Sequence, residues 1–310
     1  MYFPISDCTV NPVYLIGLGF IIGILGGFFG VGGSFIAVPA LFAMGVPMNF
    51  AVGTDLLHIV GKSMVAARKH RTFGNIDLRL AAVMVPGTIL GSEAGVQAIE
   101  ALKKVAKVDL VVGLVTIVVL LATSIFVFAE SWQALKLRGS RKPVSQQTAQ
   151  EKDKRAFKFI SRWTHSFKWS PTLSLPHSGV KSISVWAILL VSFVSGIFSG
   201  FLGGGAGYIR MPALVYLLGV PTHIAIGTDL FEIIVSAGYG SFRHAMNGNV
   251  DILIALIMQT GAAVGAQIGT VLTQYFNGPR IRIAFAPLPL IGAGLIIYRL
   301  LTEHAAHLTR

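Results

Sequence analysis

A stripe of ionisable residues stands out in an otherwise apolar chain, because its spacing fits one face of a helix. Asp55, His58 and Lys62 follow one another at intervals of three and four residues, which places them on the same side of an α-helix. Asp229 and Glu232 repeat the first interval later in the chain. Such residues could form ion pairs, relay protons or bind a charged solute.

Arg210 adds a guanidinium to this set. It lies three residues after Gly207 in an apolar stretch, about 13 Å from the end of that stretch at 1.5 Å per helical residue. This depth is near the centre of a hydrocarbon core about 30 Å thick. Because a guanidinium binds oxyanions in a planar, bidentate manner, we predict that Arg210 contacts an anionic ligand. The alternative is a structural ion pair with Asp55, Asp229 or Glu232.

Two glycine-rich runs come shortly before these residues. The first contains Gly32, Gly33 and Ser34, and the second contains Gly205 and Gly207. A helix that restarts after such a run directs free backbone N–H groups and its positive dipole end toward the protein interior, where they attract anions. Neither run completes a nucleotide-binding motif. We predict that these five residues present donors to an anion; the alternative is that the glycines only permit tight packing.

The composition shows what surrounds these groups. Of 310 residues, 54% are hydrophobic and 12% are charged, whereas about a quarter are charged in soluble proteins. Successive stretches of about 20 apolar residues predict an all-α, multi-pass membrane protein. The single cysteine, Cys8, excludes a disulfide framework and a thiolate metal cluster. We expect no cofactor and no bound metal.

The net charge of +12 belongs mainly to one loop. Residues 130–182 hold eleven Lys and Arg against three acidic residues, so the excess does not indicate a nucleic-acid partner, and basic loops of membrane proteins tend to stay in the cytoplasm. Residues 152–169 interleave basic and aromatic side chains, which is typical of a segment lying on anionic lipid headgroups. A solvated linker is the equal alternative.

The chain contains two copies of one unit. GFFGVGGSFIAVPAL at Gly27–Leu41 and GFLGGGAGYIRMPAL at Gly200–Leu214 are identical at eight of fifteen positions. The two GTD triplets and the GN[IV]D turns also match. These matches divide the chain into five parts: a tail (1–12), a first membrane repeat (13–129), a basic connector (130–182), a second repeat (183–302) and a second tail (303–310).

Each repeat begins with an apolar stretch that glycines and a proline interrupt, 13–45 and 183–219. The predicted spans that follow lie near 47–67, 78–99 and 108–129, and near 221–242, 251–275 and 281–301. If the interrupted stretch crosses twice, each repeat has five segments and the copies are inverted; if it crosses once, each has four and they are parallel. Broken helices commonly accompany inverted repeats, so we favour inversion. Oligomeric state stays open.

The repeated GFFGVGG…VPAL…GTD and FLGGG…MPAL…GTD motifs, each followed by a GN[IV]D turn, resemble the sulfite exporter TauE/SafE family. The likeness covers both repeats. It implies a multi-pass carrier of the cell's inner membrane that exports sulfite or small organosulfonates. The family pattern usually has a small hydroxyl residue after Gly-Thr, where this chain has Asp55 and Asp229.

We therefore predict a secondary transporter, not an enzyme, that exports a small oxyanion by alternating access. An anion leaving a cell that is negative inside gains about 2.3 kcal/mol per 100 mV, so export needs no ATP. Arg210 and Lys62 would supply positive charge. Proton coupling or ion pairing is predicted for Asp55, His58, Asp229 and Glu232. The alternative is a cation or metal carrier that uses those four residues and His223. Glu93, which matches Gln267, is a weaker candidate.

Overall fold

The computed structural model describes residues 1–105, 108–139 and 170–308, and these form a helical protein. Six helical segments in them are long and apolar enough to cross a membrane. The prediction of an all-α, multi-pass membrane protein is therefore confirmed. The six segments are Pro12–Phe29, Met48–Thr72, Val108–Ala129, Val185–Leu202, Ile252–Thr273 and Gly278–Thr302.

The first half of the chain begins with a short hairpin and continues with five helices. The hairpin strands are β1 (Tyr2–Phe3) and β2 (Cys8–Thr9). The helices are α1 (Pro12–Phe29), α2 (Ser34–Ala43), α3 (Met48–Thr72), α4 (Leu78–Lys103) and α5 (Val108–Gly139).

The second half repeats this order. Its hairpin strands are β3 (Thr172–Leu175) and β4 (Val180–Ser184). Its helices are α6 (Val185–Leu202), α7 (Gly207–Tyr216), α8 (Thr222–Met246), α9 (Ile252–Thr273), α10 (Gly278–Phe285) and α11 (Leu288–Leu308), with a 3-10 turn at Gly204–Ala206.

The two halves differ at their last segment. The sequence predicts one span near 281–301, but the structure divides this region into α10 and α11 at Ala286–Pro287. Proline has no amide hydrogen to donate, and its ring clashes with the preceding turn, so the helix breaks there. The corresponding α5 is continuous.

The halves are interleaved, because helices of one half pack along helices of the other. Helix α1 lies along α9, and α4 lies along α6. Glycines four residues apart allow this close approach: a Cβ at Gly91 of α4 would stand 2.8 Å from the backbone nitrogen of Ile197, and one at Gly265 of α9 would stand 2.9 Å from that of Ile24. In lipid, such close backbone contact is a main source of helix association.

The central helices α3 and α8 run in opposite directions. Gly53, near the start of α3, lies against Asn249, just after the end of α8; Gly227, near the start of α8, lies against Asn75, just after the end of α3. Two equivalent helices in antiparallel contact are what an inverted repeat requires. The inverted relation of the whole repeats to the membrane stays a prediction.

Each face of the bundle has a hairpin tied to a helix start. Asp77 caps α4 by accepting from the amides of Arg79 and Leu80, and its second oxygen accepts from the Ser178 hydroxyl at 2.6 Å. Its own amide donates to Thr228 of α8 at 2.9 Å. The β3–β4 hairpin, which contains Ser178, is thus fixed to both halves.

The other hairpin makes the corresponding contacts. Asp251 caps α9, accepts from the Ser6 hydroxyl at 2.8 Å and donates its amide to Thr54 of α3 at 2.9 Å. Ser6 and Ser178 belong to segments that the sequence analysis assigned to the tail 1–12 and the connector 130–182. The described parts of both are folded and make matching contacts.

We expect Asp77→Ala to lower the stability of the folded protein by about 1 to 2 kcal/mol, because it removes a helix cap and leaves the buried Ser178 hydroxyl unpaired. Thermal unfolding of the purified protein in detergent measures this. Asp7→Asn is the matched control, since Asp7 is exposed and bonds only Tyr2 among the contacts of the described chain. Equal midpoints for the two variants would contradict the capping role.

Candidate functional site

The site begins where the first helix of each half breaks. Helix α1 ends at Phe29 and α2 restarts at Ser34 after Gly33, whose φ is +78°. In the second half Ala206, which occupies the place of Gly33, has a φ of +49° before α7 begins. This left-handed backbone favours glycine, so both breaks are built by residues in a conformation that cannot continue a helix.

The two breaks touch each other. A Cβ at Gly32 would stand 3.2 Å from the Gly204 carbonyl oxygen, and one at Gly207 would stand 2.6 Å from the Cα of Val31. Ser34 also lies directly against Gly204. The structure thus brings together the two glycine-rich runs that the sequence predicts to share a site.

The breaks meet halfway along the central helices. A Cβ at Gly32 would lie 3.4 Å from the Cδ1 of Ile59 and 3.7 Å from that of Ile233, and these isoleucines stand near the middle of α3 and α8. The first turns of α2 and α7 therefore start deep in the protein. A helix start carries free backbone amides and a positive dipole end, which can stabilise a nearby anion.

Arg210 is held by carboxylates. It is fully buried, one turn into α7. Its Nε donates to Oδ1 of Asp229, and its Nη1 forms an ion pair with Oε2 of Glu232. This is the ion pair that the sequence leaves open. Within the described residues, Nη2 of Arg210, Oδ2 of Asp229 and Oε1 of Glu232 have no hydrogen-bond partner.

The first half holds a different triad on α3. Nδ1 of His58 lies 3.2 Å from Oδ1 of Asp55. Lys62 is 2% exposed, and its Nζ has no hydrogen-bond partner in the described part of the chain. Burying an ammonium without a partner is costly. Lys62 is therefore a group that a negatively charged ligand could pair with.

Gln259 was not found from the sequence. With its amide oriented to satisfy both neighbours, it donates to the His58 carbonyl at 2.8 Å and accepts from the Lys62 backbone amide at 3.2 Å. Gly61 provides the space, since a Cβ there would stand 2.6 Å from the Gln259 side chain. A side chain inserted into a helix ladder bends the helix. A glutamine within the mostly apolar α9, which also contains Gln267, is the signal that could have revealed it.

Two other sequence candidates lie elsewhere. Glu93 accepts from Arg243 at 2.7 Å and from Tyr239 at 2.8 Å. His223 lies 3.1 Å from the Phe276 carbonyl oxygen. Over the described ranges, no three His, Cys, Asp or Glu side chains are grouped so that they could hold a metal ion. The structure therefore does not assemble the residues of the cation-carrier alternative into a metal site.

Comparison with known proteins adds the family. The profile described as "Sulfite exporter TauE/SafE" matches residues 15–296. "Probable membrane transporter protein YunE" of Bacillus subtilis is 26% identical over 293 residues, covering 92% of this chain and 97% of that protein. "Probable membrane transporter protein YdhB" of the same organism is 36% identical over 114 residues, 36% of this chain and 46% of that protein. No solved structure gives a significant match.

The contact between the breaks can be tested by adding one methyl group. Gly207→Ala would place a Cβ 2.6 to 2.8 Å from the Val31 backbone, and we expect the resulting overpacking to destabilise the protein by about 1 to 3 kcal/mol. Gly238→Ala is the control, because a Cβ at this position of α8 has nothing within 4 Å. That variant should be neutral or up to about 1 kcal/mol more stable. Thermal unfolding compares them, and a Gly207→Ala protein as stable as the control would argue against the contact.

Proposed function

The chain belongs to the sulfite exporter TauE/SafE family of membrane transporters, and from this we propose that it exports a small oxyanion, such as sulfite or an organosulfonate, by alternating access. The family and the described helices make it a multi-pass membrane transporter. The substrate and the cycle are our proposal. The two elements that would form the site are the glycine-rich breaks and the central helices beside them.

Lys62 is the observation that carries the proposal. Its ammonium is buried and has no hydrogen-bond partner among the described side chains. The hydroxyls of Ser34 on α2 and Ser63 on α3 are also buried without partners there. An ammonium and hydroxyl donors suit a small oxyanion, because each can donate to a different oxygen.

The helix starts would add donors without adding charge. In this proposal the starts of α2 and α7 contribute backbone amides. They belong to Gly32, Gly33 and Ser34 in the first half and to Gly205 and Gly207 in the second. Such amides stabilise an anion at a helix start. Arg210 would contribute through Nη2, the nitrogen that neither carboxylate engages.

Alternating access is supported by the matched contacts at the two faces. Ser178–Asp77–Thr228 and Ser6–Asp251–Thr54 are equivalent sets in the two halves. Thr54 and Thr228 directly precede Asp55 and Asp229. A rearrangement at either face would therefore act on a residue next to one of the buried carboxylates Asp55 and Asp229, as a carrier with one central site requires.

Lys62→Met should separate a binding role from a structural one. The ammonium makes no hydrogen bond within the described residues, and a neighbouring carboxyl can take up a proton in its place, so thermal stability should change little. Loss of a charged donor to the anion should instead lower flux about 10- to 100-fold. Sulfite and sulfonate flux is measured in proteoliposomes. Lys69→Met is the control, because Lys69 is an exposed lysine near the end of the same helix.

A panel of anions completes this test. Sulfite and organosulfonates should raise the unfolding midpoint of the wild type and not that of Lys62→Met, since a ligand that binds only the folded state stabilises it. Unchanged flux in Lys62→Met would remove Lys62 from the site. If no oxyanion moves or stabilises the wild type, the proposed function is wrong.

A further inference from the structure

The buried groups around the breaks do not balance in charge. Two cations, Arg210 and Lys62, accompany three carboxylates, Asp55, Asp229 and Glu232, and each of these side chains is 0 to 2% exposed. With His58 neutral, the cluster has one excess negative charge. A buried charge without compensation is strongly unfavourable.

Among the described residues, the neighbouring elements do not supply the missing cation. The buried Arg282 of α10 donates to Thr222 at the start of α8 and lies over the Tyr216 ring at the end of α7, away from Asp229 and Glu232. Helices α1, α2, α6 and α9 contain no Asp, Glu, Lys, Arg or His. On α4, Glu93 is paired with Arg243 of α8. The imidazoles of His70 and His244 lie at the ends of α3 and α8, near the carbonyl oxygens of Gly27 and Gly200. On α7, Tyr208 contributes a buried phenol, which is not a cation.

The unpartnered oxygens show where positive charge could be added. Oδ2 of Asp229 and Oε1 of Glu232 lack a hydrogen-bond partner among the described residues, while their other oxygens contact Arg210. A proton on one free oxygen would make the empty cluster neutral. A second proton would make it neutral again when one monovalent anion is bound.

We propose that the Asp229–Glu232 pair carries one more proton with the anion than without it, so that one proton moves with each monovalent anion. This inference rests on the proposed function. Protonation of both carboxyls also releases the Arg210 guanidinium from its ion pairs and makes it available to the oxyanion. Proton uptake and anion binding are then linked, because each favours the other.

The consequence is electroneutral transport. An anion that moves alone responds to the membrane potential, and about 100 mV shifts its equilibrium ratio roughly 50-fold. An anion that moves with a proton does not respond. Its direction follows the anion and proton gradients together, so export proceeds where the outward anion gradient exceeds any opposing proton gradient.

Flux measurements in proteoliposomes test this, with methanesulfonate as the probe because it stays a monovalent anion over the accessible pH range. Vesicles contain a pH-sensitive dye, and potassium with valinomycin sets the potential in sodium-free buffer. We expect anion entry to acidify the lumen by one proton per anion and its rate to be unchanged by about 100 mV. Potential-dependent entry without acidification, or a requirement for sodium, would overturn the inference and leave the proposed function standing. Absence of any anion flux would instead reject the proposed function.

The double variant Asp229→Asn/Glu232→Gln locates the proton. It imitates the doubly protonated pair, so anion entry should persist without acidification and become potential-dependent. Glu93→Gln removes a membrane carboxylate outside the cluster and should keep proton coupling. If the double variant still takes up one proton per anion, another group carries the proton and the assignment to Asp229 and Glu232 is wrong. If that variant does not fold, the wild-type potential and acidification measurements still decide whether a proton accompanies the anion.

Discussion

The close contact between the two helix breaks is the constraint on which the rest of the structure depends. Gly204 lies against Ser34 and Gly207 against Val31, with no room for a side chain between them. Free backbone groups are not tolerated in contact with lipid, and broken helices occur at membrane depth only where protein or a cavity surrounds them. Each break thus gives the other a protein environment, and together they create a polar region halfway along α3 and α8.

That contact requires the two halves to be interleaved. Helix α1 lies along α9 and α4 along α6, so the helix leading into each break is held by the opposite half. In lipid the hydrophobic effect gives little attraction between helices, and close packing of small residues takes its place. The glycines at four-residue spacing on α4 and α9 supply that packing. Neither half could position its own break alone.

Much of this architecture is predictable from the sequence. The composition indicates that the chain lies in lipid, and the internal repeat indicates the order of the helices. Helical spacing places the glycines four residues apart on one face of α4 and of α9. It likewise places Asp55, His58 and Lys62 on one face of α3. Spacing along one helix does not say which neighbour a side chain meets, however. The pairing of Arg210 with two carboxylates at once, the absence of a described partner for Lys62 and the insertion of Gln259 depend on contacts between helices distant in sequence. The break at Pro287 could not have been predicted from a proline alone, because Pro39, Pro86 and Pro212 lie inside the helices α2, α4 and α7.

The framework is repeated, but its charges are not. Arg210 corresponds to Ala37, Glu232 to His58 and Ser236 to Lys62, so one half contains a guanidinium between two carboxylates and the other an ammonium, an imidazole and one carboxylate. Two equivalent halves can exchange conformations at similar free energy, which suits a carrier that must open to both sides. Two equivalent charge sets would instead form two equivalent binding sites. Because the charges differ, the proposed oxyanion would use Lys62 from one half and Arg210 from the other, which favours one anion per chain over two.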